Sequence, residues 1–277
     1  MTTTTTTTMS RVERLKRAIA LQERISVLQA FVALHRSKRI TTVASGKGGI
    51  GKSTLARALS YVMGAVAVDL DWDGGNFTTL FGYDTGRSTT VPLLNALESG
   101  IPPRPVTMTR RPDFIPGHRD FAENQPTADV MKDALIAWNS HYGRALNVDT
   151  HPGGGDSATR GAIAAADTII MPVELGTAEL NALEEDLVSY DGYPLLLVIN
   201  KTPRAPSASH LERLTFLADA VGVPIAETNI RNHPWLTTRL MRTVVSASPA
   251  PWSLQTLLFV EDIVNLGEEV ARRGTAA

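Results

Sequence analysis

The sequence predicts an α/β fold: a mostly parallel, twisted β-sheet with helices on both faces, extended at its N-terminus by one further helix. Three observations lead there. From residue 39 onward, short β-branched or apolar runs alternate with helical stretches, the pattern of parallel strands joined by crossover helices. Most of these runs are apolar at every position, as expected where helices cover both sheet faces. A glycine-rich turn, residues 46–51, stands directly between the first run and the first helix that follows it.

Taken in order, residues 1–10 include seven consecutive threonines and offer little to bury, so they read as a disordered tail. From residue 11 to about 36, Val12, Leu15, Ile19, Leu21, Ile25, Leu28 and Val32 recur at three- and four-residue steps without Gly or Pro. That spacing predicts an amphipathic helix, and residues 11–38 are read as a basic helical segment ahead of one domain, 39–277. Within that domain, 39–45 is the first strand and 52–62 the first helix. Further strands are expected at 65–70, 113–116, 145–150, 168–173, 195–200 and 224–228. Residues 84–112, rich in Gly, Pro, Arg and Thr, read as an irregular surface segment, and 253–273 as a closing helix.

Composition excludes several functions. The chain has no cysteine, which removes disulfide frameworks, thiolate zinc sites, iron–sulfur clusters and thiol nucleophiles together. No apolar run approaches the roughly 18 residues of a membrane span, and threonines stand where a secretion signal would carry charge and then apolar residues. The expected location is the cytoplasm. A net charge of −1 conceals an asymmetry, since residues 11–39 carry eight Lys or Arg against Glu13 and Glu23.

The turn reads Gly46-Lys47-Gly48-Gly49-Ile50-Gly51-Lys52-Ser53, matching the phosphate-binding pattern G-x-x-x-x-G-K-[S/T] in the strand-to-helix setting that pattern needs. Backbone N–H groups of such a loop can point at phosphate oxygens, and Cβ groups would block their approach. Lys52 would reach the β- and γ-phosphates, and the Ser53 hydroxyl would ligate the Mg2+ that neutralises them. The bland alternative is a tight turn with an exposed lysine. A magnesium site also needs a carboxylate at the end of a neighbouring apolar strand, and Asp149 supplies one, although an aspartate before a glycine-rich stretch can also simply cap a helix. Asp69 and Asp71 close a second apolar run. They could hold Mg2+ or orient an attacking water, with a purely structural role open for one of them. These features predict a P-loop NTPase fold with ATP and Mg2+ as cofactors.

A second lysine, Lys47, narrows the field. The run Lys47-Gly48-Gly49-Ile50-Gly51-Lys52-Ser53-Thr54 resembles the deviant Walker A motif of the ParA/MinD family. Val68-Asp69-Leu70-Asp71 with Gly75-Asn76 is similar to that family's switch I. Phe114-Ile115-Pro116-Gly117 is similar to its short strand after the variable region, and Val148-Asp149-Thr150 to its Walker B and switch II. Met171-Pro172-Val173 and Asn229-Ile230-Arg231-Asn232 match later landmarks, so the resemblance spans about residues 39–270.

The resemblance implies that Lys47 reaches across an ATP-sandwiched homodimer to the partner's nucleotide and that Asp71 positions the hydrolytic water. Gly46, Lys47, Gly48, Gly49, Ile50, Gly51, Lys52, Ser53 and Thr54 would surround the nucleotide, Asn200 would lie near its base, and Ser53, Asp71 and Asp149 would serve the metal. The ParA branch binds double-stranded DNA without sequence preference and is released when a ParB-like partner stimulates hydrolysis. Arg231, Arg239 and Arg242, or the basic N-terminal helix, would contact that DNA. The MinD branch binds membrane through a C-terminal amphipathic helix, and here Glu261, Asp262, Glu268 and Glu269 would be repelled by anionic lipid. ATPases that position protein cargo, and small-molecule enzymes resembling dethiobiotin synthetase, are the alternatives. Two places depart from the pattern: Trp72-Asp73 stands where partition ATPases usually show Pro-Gln, and His151 interrupts Asp-Thr-Pro-Pro.

Overall fold

A computed structural model describes residues 9–35, 39–73, 77–83, 91–109, 111–236 and 252–273. Six strands, β1 (Ile40–Val43), β2 (Val66–Asp69), β3 (Phe114–Ile115), β4 (Leu146–Asp149), β5 (Thr168–Val173) and β6 (Leu195–Ile199), form one sheet in the order β3-β2-β4-β1-β5-β6. Every pairing is parallel. The strands are buried at all positions, which explains why they read as continuous apolar runs. The connecting helices are α2 (Lys52–Met63), α3 (Phe77–Leu80), α4 (Pro92–Ser99), α5 (Ala128–Tyr142), α6 (Ser157–Ala165), α7 (Thr177–Ser189) and α8 (Ala208–Val221). Val43 pairs with Asp149, and Asp149 with Asp69, so the carboxyl ends of β1, β4 and β2 finish level. An open α/β sheet places its ligand site at such an edge.

Two expected elements differ. The segment 84–112 contains α4, started by Pro92 in its first turn and stopped by Gly100 in the left-handed conformation at φ 69°; residues 84–90 and 110 lie outside the described residues. The stretch 224–228 is not a strand. It touches the sheet through a single bridge between Leu197 and Ile225, because Pro224 lacks the N–H a ladder requires on one side and the Glu227 and Thr228 N–H groups donate to the Glu269 carboxylate on the other.

The N-terminal helix α1 (Arg11–Leu34) starts with a reciprocal capping box between Ser10 and Glu13. Ala18, Leu21, Ile25, Leu28 and Val32 are buried in one core with Leu55 and Val62 of α2 and Val260, Ile263 and Val264 of α9 (Leu254–Arg273). The predicted stripe is only partly the buried one. Val12, Leu15 and Ile19 are 63%, 42% and 45% exposed, since at about 100° per residue they fall on the face opposite Leu21 and Ile25. The acidic run of α9 is the receptor for this basic helix. Arg17 pairs with Glu261 at 2.5 Å, and Arg24 reaches Glu268 at 2.9 Å and the Asn265 side chain at 2.7 Å.

Helices α5 and α6 cross closely at Gly161. A Cβ there would lie 2.6 Å from both the Ala128 carbonyl oxygen and the Met131 Cβ. Gly161→Ala is therefore expected to push the helices apart and to destabilise the fold by about 1–3 kcal/mol, as overpacking does. Thermal denaturation followed by circular dichroism checks it; an unchanged melting temperature contradicts the close crossing.

Candidate functional site

The loop between β1 and α2 is shaped by its own hydrogen bonds and held from outside. The Ser45 hydroxyl accepts from the Lys47 N–H at 3.0 Å. Gly49 and Gly51 sit at φ 73° and 98°, left-handed conformations that residues with side chains rarely adopt. A Cβ on Gly51 would lie 2.6 Å from Asn200 Nδ2, which donates to the Ile50 carbonyl at 2.7 Å. Asn200 thus clasps the loop backbone from the end of β6. Its neighbour Lys201 donates to the Gly49 carbonyl at 2.9 Å and pairs with Glu174. From α7, Asp186 accepts from the Gly46 N–H at 3.0 Å. Glu174, Asp186 and Lys201 belong to no local pattern, so no signal in the sequence announced them.

The two loop lysines diverge. Lys52 is buried, and its ammonium donates to the Lys47 carbonyl at 3.2 Å. Burial lowers its pKa, opposed by the charges of Asp149, Asp71 and Asp186. Lys47 instead extends to Glu179 Oε1 at 2.6 Å in an exposed ion pair, which raises its pKa. Ser53 and Thr54 are half-buried in the first turn of α2. Gly48 has nothing nearer to a notional Cβ than Pro152 at 3.9 Å, so one side of the loop is open.

The three aspartates have separate situations. Asp69 accepts from the Asp71 N–H at 3.0 Å, the Thr78 N–H at 2.9 Å and the Thr78 hydroxyl. Thr78 in turn accepts from the Gly117 N–H at 2.9 Å. Asp69 is the structural member, pinning α3 to the end of β2, and burial pushes its carboxyl up to about 7. Asp149 is fully buried, and neither of its oxygens has a hydrogen-bond partner. Burial and then the neighbouring Asp69 push its pKa well above the usual carboxylate range, with Ser53 and Lys52 pulling it down. Beneath it, burial pushes Arg57 down to about 10. Asp71 is buried and accepts nothing from the loop lysines in hydrogen-bond range; its Oδ1 receives the Asp73 N–H at 3.2 Å.

An unpartnered, buried carboxylate facing a serine hydroxyl, with a second carboxylate near, is a set of hard oxygen donors. Those residues fit Mg2+, which prefers oxygen ligands and retains several waters. Asp71, Asp73 and His151 also offer ligand atoms that all lie within 4.8 Å of one another.

The other expected positions are spread out. Arg231 pairs with Glu261 at 2.9 Å and Asp262 at 3.0 Å on α9, so its charge is engaged within the chain. Arg239 and Arg242, like Gly75 and Asn76, lie outside the described residues.

No family model and no curated protein matches the sequence. Solved structures do resemble it. Apo McdA of Cyanothece superposes with a TM-score of 0.64 at 17% identity, covering 85% of this chain and 99% of that one. The septum site-determining protein MinD of Pyrococcus horikoshii OT3, complexed with Mg-ADP, gives 0.62 at 21% identity over 84% and 96%. A ParA family ATPase from Chlorobium tepidum TLS gives 0.61 at 16% identity over 84% and 98%. By its fold, then, this chain is a P-loop α/β protein of the architecture shared by McdA, MinD and ParA-family ATPases.

Proposed function

We propose that this chain is a Mg2+-dependent ATPase of the ParA/MinD type that pairs with a second copy around ATP. In that state it binds double-stranded DNA without sequence preference, on the nucleoid, and a ParB-like partner releases it by stimulating hydrolysis, in the service of plasmid or chromosome partition. The observation that supports this reading best is the divergence of the two loop lysines. Lys52 is sunk beside Asp149, where it can meet phosphates of its own nucleotide. Lys47 stands at the surface in an ion pair with Glu179, where it can be handed to a second subunit. Ser53 and Asp149 would hold the metal, which neutralises phosphate charge when bound. Asp71 would orient the attacking water.

The membrane-bound alternative is disfavoured by α9, whose Leu257, Val260, Ile263, Val264 and Val270 are buried against α1 and α2 rather than available to a bilayer. With Arg231 paired, the DNA contacts are assigned to exposed Arg11 and Lys16 of α1 together with Arg239 and Arg242.

The test is binding to random-sequence duplex DNA at fixed salt, comparing Mg-ATP with Mg-ADP and wild type with Lys47→Ala. Binding by the ATP-bound wild type alone, weakening steeply as salt rises, is the expected result. Equal binding in both nucleotides removes the ATP-switched positioning of DNA, and none in either removes the DNA role; either directs the search to protein cargo or a small-molecule substrate.

A further inference from the structure

The two departures from the family pattern, 78 positions apart in sequence, meet in space. The Trp72 indole stacks on the His151 imidazole with ring centroids 4.0 Å apart and planes within 6°. His151 Nε2 lies 2.9 Å from Asp73 Oδ2, and the Asp73 N–H donates to Asp71 Oδ1 at 3.2 Å. Strand pairing explains why they can meet. Asp69 and Asp149 are in register, so Asp71 and His151 each lie two residues beyond the same rung. The last backbone bond between the two chains runs from the Leu70 N–H to the Asp149 carbonyl at 2.9 Å. Beyond that rung, the described contacts joining the two segments are between side chains. Trp72 is backed by Phe121, with ring centroids 6.5 Å apart, and His151 keeps only 21% of its side chain exposed.

We propose that His151 is a positioning residue, clasped by Trp72 and Asp73, that holds the segment after β2 to the segment after β4 and so keeps the Asp71 carboxylate in its hydrolytic orientation. This rests on the ATPase reading above. The ring is assigned no direct part in the chemistry. It acts on Asp73, whose backbone N–H orients Asp71. A small misplacement of a positioned group costs up to about 100-fold in rate, and an exposed, indirect link should cost less.

The experiment pairs steady-state hydrolysis with tryptophan fluorescence on the full chain. His151→Ala is expected to lower kcat about tenfold with KM for ATP within about twofold, because the phosphate loop is untouched. In the nucleotide-free protein, the same substitution should brighten tryptophan emission, since a stacked imidazole quenches indole. In a Trp72→Phe background that brightening should vanish, while kcat is largely retained because phenylalanine still offers a stacking face. Unchanged kcat in His151→Ala overturns the positioning role, and unchanged emission overturns the clasp itself. Asp71→Ala separates the two levels. If it hydrolyses ATP normally, the role given to Asp71 fails, while the fluorescence result still decides whether the clasp exists.

Discussion

Lys52→Ala is expected to weaken Mg-ATP binding by about 100-fold or more while leaving the fold intact. Charge-assisted hydrogen bonds contribute about 1.5–3 kcal/mol each, and 1.4 kcal/mol is tenfold in affinity. Two such bonds to phosphate oxygens are therefore enough. The fold should survive because the ammonium is not one of its supports. Its hydrogen-bond acceptor is a loop carbonyl at 3.2 Å, and burial already disfavours its charged form. Loss of the cation removes an attraction felt by Asp149, Asp71 and Asp186, which offsets the relief of removing a buried ammonium. Calorimetric titration with a non-hydrolysable ATP analogue, beside a thermal melt, checks both halves. Affinity within about threefold of wild type would mean that phosphate binds elsewhere.

Asp149→Asn should separate stability from function in the opposite way. Turnover in Mg-ATP should fall about 100-fold or more, because the metal loses its strand-end carboxylate. The nucleotide-free protein should melt at least about 2 °C higher at neutral pH, because burial disfavours the ionised carboxylate and the amide is neutral and of the same shape. The pH dependence follows with a definite sign. Burial raises the folded carboxyl above its unfolded value, so between the two values the folded chain holds more protons and stability falls as pH rises. Asp69 adds the same sign from the ordinary carboxylate range up to about 7. Without Mg2+, the wild type should therefore lose stability toward neutral pH, and Asp149→Asn should lose less. Scanning calorimetry across that range, with and without Mg2+, decides it. A variant that melts lower than wild type at neutral pH would mean that Asp149 is a paired structural carboxylate.

What could be read in advance divides along a physical line. Apolar runs, helical periodicity and the left-handed demands of Gly49 and Gly51 act within a few residues, so β1, α2, β4 and β5 and the phosphate loop between the first two are written locally. Helix α4 was legible too, in Pro92 and Gly100, but its surroundings are rich in turn-forming residues and obscured it. The stretch after Pro224 looked like a strand because apolar composition says nothing about which N–H groups find a ladder.

The sequence by itself determined that a phosphate loop stands between a buried strand and a helix, with acidic residues closing two neighbouring strands, because those are properties of chemistry at fixed short spacing. Only the tertiary structure decided which carboxylate is which. Asp69 and Asp149 occupy equivalent strand ends, yet one is saturated with hydrogen bonds and the other has none. It also decided that the basic N-terminal helix is matched to the acids of α9, since Arg17 and Glu261 are 244 positions apart. Burial and ion pairing depend on which surfaces the packed sheet brings together, and no local stretch of sequence contains that information.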